Sequence, residues 1–225
     1  MSRKPASPKV SRRERAAATR QRMVASAYRL MSTRGYMETK MADIAAEAGV
    51  SIQAVYFTFH SKPAVLRAAF EFAVKGDHLP IRPVERPWFA AMEKERDHRR
   101  ALAIFVDASA AILQRVAPLT AVFNALADDP EIEDFHKLSV RMQRDGYRIV
   151  IDTLARKRPL RRGLSEEDAT TILLVLLGTD VYRSILIDHS WSEEKWRTWV
   201  LETLSEALFG QAGPGTVGTK RSLAP

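Results

Sequence analysis

Apolar residues recur with helical spacing along most of this 225-residue chain, and no segment alternates apolar and polar residues as a half-buried strand does. In the first third of the chain the spacing i, i+3, i+4, i+7 occurs twice. It places Val24, Ala27, Tyr28 and Met31 on one helix face, and Met41, Ile44, Ala45 and Ala48 on another. The pattern therefore predicts an all-α protein.

Glycine and hydroxyl residues mark where the N-terminal helices end and begin. Glycine readily takes the left-handed geometry that closes a helix, and a Ser or Thr oxygen can cap the first free N–H groups of the next one. The predicted boundaries are, in chain order, about Arg15 to Gly35, Thr39 to Gly49, Ile52 after the cap Ser51 to about Phe59, and a fourth helix capped by Ser61 with Pro63 in its first turn.

A proline-rich segment from Gly76 to Pro87 interrupts the helical pattern and predicts a domain boundary. The later predicted helices run from Asp97 to Val116, where Pro118 breaks the helix, then to Ala127, from Asp129-Pro130 to about Lys157, from Ser165 to about Ser190, and from Ser192 to Phe209. Residues 1–14 and 211–225 contain little to bury, so we expect a disordered basic arm and a flexible tail.

Basic residues are concentrated at the N-terminal end of the chain. Residues 1–67 contain 13 Lys or Arg against 4 Asp or Glu, whereas residues 68–225 contain 22 against 23. A basic block beside a neutral remainder favours a polyanionic partner, which can be nucleic acid or an anionic membrane. A solvated arm that only improves solubility is the other interpretation.

Residues 48–51 join two short helices through Gly49, as in a helix-turn-helix whose second helix enters the DNA major groove. At 100° per residue, Val55 faces the core, and Gln53 and Phe57 point about 160° away from it. Glutamine can bond N6 and N7 of adenine together, and an apolar side chain can touch a thymine methyl. A short helix pair joined by glycine also occurs in all-α proteins that bind no DNA.

The second helix of this unit and the residues after it supply the predicted DNA contacts. Gln53, Ala54 and Phe57 would reach base edges, and Tyr56, His60 and Lys62 would hold phosphates.

Residues 19–70 closely resemble the TetR/AcrR family of bacterial transcriptional regulators. The matching elements are Arg34-Gly35-Tyr36, Thr39, Asp43-Ile44-Ala45, Ala48-Gly49-Val50-Ser51, Val55-Tyr56, Phe59 and Ser61-Lys62. The resemblance implies an all-α homodimer with an N-terminal three-helix helix-turn-helix DNA-binding domain, residues 15–75, and a C-terminal helical ligand-binding and dimerisation domain, residues 76–210.

The resemblance also completes the DNA-contacting set with Thr39, Lys40 and Ser51. Family members usually carry Lys or Arg at position 52, Gly at 53, Ser or Thr at 54 and an aromatic residue or His at 58. This chain has Ile52, Gln53, Ala54 and Thr58 instead, and Lys40 would supply the charge missing at position 52. Since the base-reading residues differ, no operator sequence can be carried over.

The two last helices are too apolar for one small domain to cover. Pairing with a second copy in a four-helix interface would bury them, and packing inside the monomer is the alternative. The predicted interface residues are Leu176, Tyr182, Trp196, Trp199, Val200 and Leu204.

Aromatic residues among the aliphatic C-terminal helices are candidates for a ligand pocket, which is expected to be mostly apolar. They are Trp88, Phe105, Phe123, Tyr147 and Tyr182. Each of them also fits a core position, and their assignment to a pocket rests mainly on what the resemblance implies.

Several kinds of chemistry are not encoded. The chain has no cysteine, its five histidines form no i, i+4 pair, and it has neither a Gly-rich phosphate loop nor a Gly-x-Ser-x-Gly elbow. We therefore expect no catalytic residue, no metal and no cofactor. The start of the sequence lacks an apolar signal segment, and the longest apolar run, Ala169 to Thr179, is short for a membrane span. A cytoplasmic protein without a membrane partner is expected.

These observations predict a ligand-responsive transcriptional repressor that binds double-stranded operator DNA as a homodimer and is released by an unidentified small molecule. The alternative is an all-α small-molecule carrier or enzyme that does not bind DNA.

Overall fold

The structure, a computed structural model, describes residues 11–79, 81–126 and 129–210. These residues form α-helices and no strand, which confirms the predicted all-α class. The helices are α1 Arg12–Arg34, α2 Met41–Ala48, α3 Ile52–Phe59, α4 Lys62–Lys75, α5 Pro87–Lys94, α6 His98–Ala125, α7 Pro130–Ala155, α8 Glu166–Leu176, α9 Thr179–Arg183 and α10 Glu193–Phe209. A 3₁₀ turn, Pro83–Glu85, precedes α5, and a π turn, Ser184–Asp188, follows α9.

Helices α1 to α4 form the part that we call the head. α4 packs along α1, and α3 packs against α2 and α4. The side chains of Leu30, Ile44, Val55 and Leu66 meet in its core and are fully buried or nearly so.

Helix α1 begins at Arg12, three residues earlier than the pattern predicts, so the proposed arm cannot extend to residue 14. The cause is a capping box: the Ser11 hydroxyl accepts the Glu14 N–H at 3.1 Å, and the Glu14 carboxylate accepts the Ser11 N–H at 2.7 Å. The remainder of the arm, residues 1–10, and the tail, residues 211–225, lie outside the described residues.

Helices α5 to α10 form the part that we call the body, and α6 connects its core with that of the head. α6 has 28 residues and is therefore about 42 Å long. Leu102 and Phe105 near its start are buried in the body, whereas Leu119 and Phe123 near its end are buried against the head. A displacement of α6 would therefore change the packing of both the head and the body.

Pro118 does not break α6, contrary to the sequence prediction. A proline inside a helix costs roughly 3 kcal/mol because it lacks an N–H group and crowds the carbonyl four residues earlier. Pro118 and Gln114, four residues before it, are both exposed, so water can reach that side of the helix. Burial of Leu119 and Phe123 immediately afterwards offsets the cost.

The single helix predicted from Ser165 to Ser190 is three pieces: α8, α9 and the π turn. The break occurs at Gly178, whose N–H donates to the Val175 carbonyl at 3.1 Å. A β-carbon at position 178 would lie only 3.1 Å from that oxygen and 3.2 Å from the Leu174 oxygen. A larger residue at this position would crowd both carbonyls, a constraint that apolar periodicity does not report.

Within the described residues, two stretches are long and apolar enough to cross a membrane by length and composition alone, namely His98–Thr120 and Glu166–Asp188. The core helices of a soluble protein meet the same criterion, and the first stretch belongs to α6, which packs in both cores. The second is less buried and leaves apolar side chains exposed.

Candidate nucleic-acid interface

The turn between α2 and α3 has a geometry that fixes the angle between the two helices. Gly49 is left-handed, with φ 66° and ψ 43°, a conformation that is strained for a residue with a β-carbon. The Val50 N–H donates to the Ala45 carbonyl at 3.0 Å, which closes α2. The Ser51 hydroxyl then accepts the Ala54 N–H at 3.2 Å and caps α3.

One face of helix α3 packs against the core of the head, and the opposite face is exposed to solvent. Val55 and Phe59 are buried in the head, whereas Phe57 on the opposite side is 85% exposed. Gln53 and Tyr56 are also exposed beside it. Two exposed aromatic side chains beside an amide on one helix face favour a surface that meets a partner.

The candidate contact residues outside α3 differ in their exposure and in the contacts they already make inside the head. Lys40 and His60 are exposed, and His60 adopts φ 66° at the end of α3. Lys62 is partly buried: its ammonium lies 4.1 Å from the centre of the Tyr36 ring and donates to the Met37 carbonyl at 3.4 Å. Burial lowers the pKa of Lys62, and these two contacts already engage its ammonium inside the head.

Thr39 is wrongly placed in the predicted set. Its side chain is 1% exposed and donates to the Gly35 carbonyl at 2.7 Å, so the hydroxyl cannot reach DNA without rearrangement. Nor does it cap α2. Lys40 occupies the cap position, and its N–H donates to the Asp43 carboxylate at 3.0 Å.

The structure brings most of the remaining predicted residues to one surface around α3. Ser51, Gln53, Tyr56, Phe57, His60 and Lys40 are exposed, and Ala54 is partly covered by the head core. Met37, 76% exposed in the turn before α2, was missed by the sequence analysis. The signal was available, since an apolar residue in a turn of Gly, Glu and Thr has no periodic partner to bury it.

The predicted ligand-pocket aromatics do not share one site. Trp88 and Phe105 have ring centres 6.0 Å apart, and Phe105 and Tyr147 are 5.5 Å apart, so these three form one cluster in the body. Phe123 instead packs against Phe70 of the head at 4.8 Å. Burial raises the pKa of Tyr147 to about 12, and its hydroxyl accepts a hydrogen bond from the Gln143 amide at 3.1 Å.

Tyr182, the fifth pocket candidate, packs edge-on against Trp196 at 4.9 Å and belongs to the core of a single chain. Trp196, Val200 and Leu204 are likewise fully buried, because α10 lies against α6 and α8 of its own chain. These four residues cannot form a surface for a second copy, which corrects the predicted interface. Leu176 and Trp199 are only half-buried and remain accessible.

Among the described residues, no group of three or more His, Asp or Glu side chains is placed to hold a metal ion.

The fold and the turn together define a helix-turn-helix protein with a helical C-terminal body. Residues 24–69 match the family model of bacterial regulatory proteins, tetR family. The resemblance seen in the sequence is thereby confirmed for the helix-turn-helix segment, and the chain has the fold of TetR-family transcriptional regulators.

Solved structures share this fold over most of their length. A putative TetR-family transcriptional regulator from Rhodococcus sp. is 14% identical, with 85% of this chain and 99% of that chain covered and a TM-score of 0.67. A putative transcriptional regulator from Saccharomonospora viridis, in complex with choline, is 20% identical, with 85% and 97% covered and a TM-score of 0.67. FadR from Bacillus subtilis, in complex with stearoyl-CoA, is 16% identical, with 83% and 98% covered and a TM-score of 0.66. No curated protein matches the chain.

Proposed function

We propose that this protein is a cytoplasmic, non-enzymatic transcriptional repressor that binds operator DNA as a homodimer and is released by a small molecule. The observation that carries the proposal is the exposed face of α3, where Gln53, Tyr56 and Phe57 project from a helix anchored by Val55 and Phe59. Such a helix fits the major groove with its N-terminal residues against base edges.

In this arrangement the contacts divide into two kinds. Gln53 bonds an adenine and Phe57 contacts a thymine methyl, so both read sequence. Lys40, Ser51, Tyr56 and His60 surround them and bind the phosphate backbone, which sets affinity and register.

Selection of bound duplexes from a randomised library tests DNA binding directly. A dimeric regulator selects a palindromic sequence whose half-sites lie about 34–36 Å apart, one helical turn. A carrier or enzyme without DNA binding enriches no sequence, and that result would overturn the proposal.

Lys40→Ala is expected to weaken the binding of selected and random duplexes equally. Its ammonium is exposed and unpaired among the described side chains, so its loss removes about one phosphate contact and lowers the slope of log affinity against log salt by about one. Lys62→Ala has a smaller effect, because Lys62 is already engaged by Tyr36 and Met37. Fluorescence anisotropy over a salt series measures both, with Lys94→Ala in the body as the control. An unchanged slope for Lys40→Ala would exclude the phosphate contact.

The dimer is proposed to form on the outer face of the last helices. Val175 on α8 is 57% exposed and Ile187 in the π turn is exposed as well, which leaves apolar surface that a single chain does not cover. Leu176 and Trp199 lie half-buried on the same helices, α8 and α10. A second copy related by two-fold symmetry would bury these side chains against their own equivalents.

Val175→Glu is expected to shift the protein from dimer to monomer, because dimerisation would bury the new carboxylate. The monomer should stay folded, because position 175 is exposed in the single chain. Sedimentation velocity measures the mass, and circular dichroism checks the helices. Met142→Glu on α7 is the control, since Met142 is equally exposed. If Val175→Glu remains a dimer and Met142→Glu becomes a monomer, the interface lies on α7 and the proposal is wrong.

Release by a small molecule is proposed because α6 connects the aromatic residues of the body with the core of the head. Regulators with this fold have been solved with choline and with stearoyl-CoA. In this chain, Trp88, Phe105 and Tyr147 form an aromatic cluster against α6, the helix that also packs in the head. A ligand that prefers one position of α6 would therefore change the separation of the two heads.

A further inference from the structure

A cleft of about 410 Å³ lies where the head joins the body. Its walls come from the end of α4, the segment that leads into α5, the first turn of α5 and one face of α6. Much of the lining is apolar, through Val74, Pro83, Trp88, Ile104 and Ile112. The volume falls in the range of small-molecule sites, and the apolar walls suit a hydrocarbon tail.

The charged residues at the cleft are mostly cations. Lys75, Arg86 and Arg115 line it, against a single carboxylate, Asp107. Asp107 lies 3.5 Å from Arg197, a residue outside the cleft that also bonds Glu193 at 2.7 Å. Lys75 forms no ion pair within the described part of the chain. Arg86 is paired with Asp77 beside the cleft, so the excess positive charge next to the apolar walls comes from Lys75 and Arg115.

Arg86 is the most constrained of these cations. Its side chain is 12% exposed, and its two terminal nitrogens lie 2.5 and 2.9 Å from the Asp77 carboxylate oxygens. This pairing lowers the pKa of Asp77 to about 2. The Nε of Arg86 is buried and has no hydrogen-bond partner among the described residues. A buried N–H without a partner is costly, so Arg86 can gain from an additional acceptor.

Arg115 ties the two parts of the molecule together beside the same cleft. Its Nε donates to the Ala73 carbonyl of α4 at 2.8 Å, and its own carbonyl accepts the Tyr28 hydroxyl of α1 at 3.0 Å. The guanidinium lies against Gly76, where a β-carbon would come within 3.0 Å of it. Burial lowers the pKa of Arg115, and the nearby positive charge of Arg86 acts in the same direction.

We propose that this cleft binds an amphipathic carboxylate, whose head group bonds Arg86, Arg115 and Lys75 while its tail lies on the apolar walls around Trp88. The inference rests on the proposed function, since the carboxylate would be the small molecule that releases DNA. An anion at this point offsets the positive charge of Lys75 and Arg115, and it can offer an acceptor to Arg86, whose Nε has none among the described residues. A quaternary ammonium ligand would instead meet the uncompensated charges of Lys75 and Arg115.

Binding there acts directly on the connection between head and body. The ligand carboxylate competes with Asp77 for Arg86, and Asp77 follows immediately after α4 and Gly76. It also competes with the Ala73 carbonyl for Arg115. Loss of either contact loosens the end of α4 from the body, so the carboxylate-bound state and the DNA-bound state are coupled through the same bonds.

Decanoate and 1-decanol test the head-group assignment, because they share a tail and differ in charge. Calorimetry on the full-length protein should show decanoate binding at least about tenfold tighter than decanol. Lys75→Gln and Arg86→Gln should each reduce decanoate affinity by about threefold or more and leave decanol unchanged. Asp77→Asn should do the opposite and tighten decanoate by about threefold, because Arg86 loses its competitor. Arg141→Gln, which removes an exposed cation from α7, is the control and should have no effect.

Gel shifts with a selected duplex complete the test. Decanoate should weaken DNA binding by the parent protein and have less effect on Lys75→Gln. Equal affinity for decanoate and decanol, or weaker decanoate binding by Asp77→Asn, would overturn the carboxylate site while leaving the regulator proposal intact. Decanoate binding with no change in DNA affinity would overturn the coupling. Failure to select any duplex would instead count against the proposed function, independently of the calorimetry.

Discussion

Leu204→Ala is expected to lower the free energy of unfolding by about 2–5 kcal/mol, the range for removing a large aliphatic side chain from a core. Leu204 is completely buried on α10, on the side that faces α6 and α8. Trp196 and Val200 precede it on the same face and are equally buried, so the cavity is enclosed and the neighbouring helices can relax only partly. Urea unfolding followed by circular dichroism measures the change.

Leu138→Ala provides a matched control for this prediction. It removes the same atoms from α7 at a position that is 46% exposed, so we expect a loss below about 1 kcal/mol. Both variants are unfolded at two protein concentrations, because dissociation of a dimer adds a concentration-dependent contribution that a cavity does not. Equal losses of unfolding free energy for the two leucine variants would contradict the burial of Leu204 in the monomer core. A Leu204→Ala effect that disappears as protein concentration changes would instead indicate that Leu204 lies in the subunit interface.

The head could be predicted from the sequence because its determinants are local. Gly49 and Ser51 specify the turn and the cap within four residues, and the periodic apolar positions around Val55 specify which side of α3 is anchored. The opposite side, with Gln53 and Phe57, follows from helix geometry alone. The placement of these side chains depends little on how the helices of the body pack.

The body was less predictable because its determinants lie far apart in the chain. The apolar stripe through Trp196 and Leu204 indicates that α10 must be covered, but the stripe is the same whether the cover is α6 of its own chain or a second copy. The apolar pattern favours the second copy, whereas both residues lie in the monomer core of the structure. Which side chains stay accessible, such as Val175, depends on how α8 and α10 pack, and the sequence pattern does not specify that packing.

Local rules also failed where tertiary packing opposed them. Pro118 should end a helix, yet the apolar residues that follow it keep α6 continuous into the head core. Thr39 has the right chemistry for a helix cap, but its hydroxyl is taken by the Gly35 carbonyl and Lys40 occupies the cap position. The ion pair between Asp77 and Arg86 was likewise invisible, because neither residue lies in a periodic pattern.

Gln53→Ala is expected to lower affinity for the selected operator by about 1–3 kcal/mol while leaving affinity for random DNA nearly unchanged. Gln53 is exposed near the N-terminal end of α3, so its amide can pair with a base edge, and its removal disturbs no contact inside the head. Phe57→Ala should act in the same direction, because the ring is 85% exposed and reaches a thymine methyl only at a matching sequence. Circular dichroism should show both variants as folded as the parent protein.

Deletion of residues 1–10 separates this sequence reading from electrostatic affinity. It removes Arg3, Lys4 and Lys9 without any acidic residue and leaves the Ser11 cap of α1 in place. Binding of operator and random duplexes should weaken together, and the salt dependence should become flatter. The deciding quantity is the ratio of the two affinities at fixed salt, measured by fluorescence anisotropy. If that ratio survives Gln53→Ala and collapses on the deletion, α3 is not the reading element, and the basic arm, placed in the minor groove, carries the specificity instead.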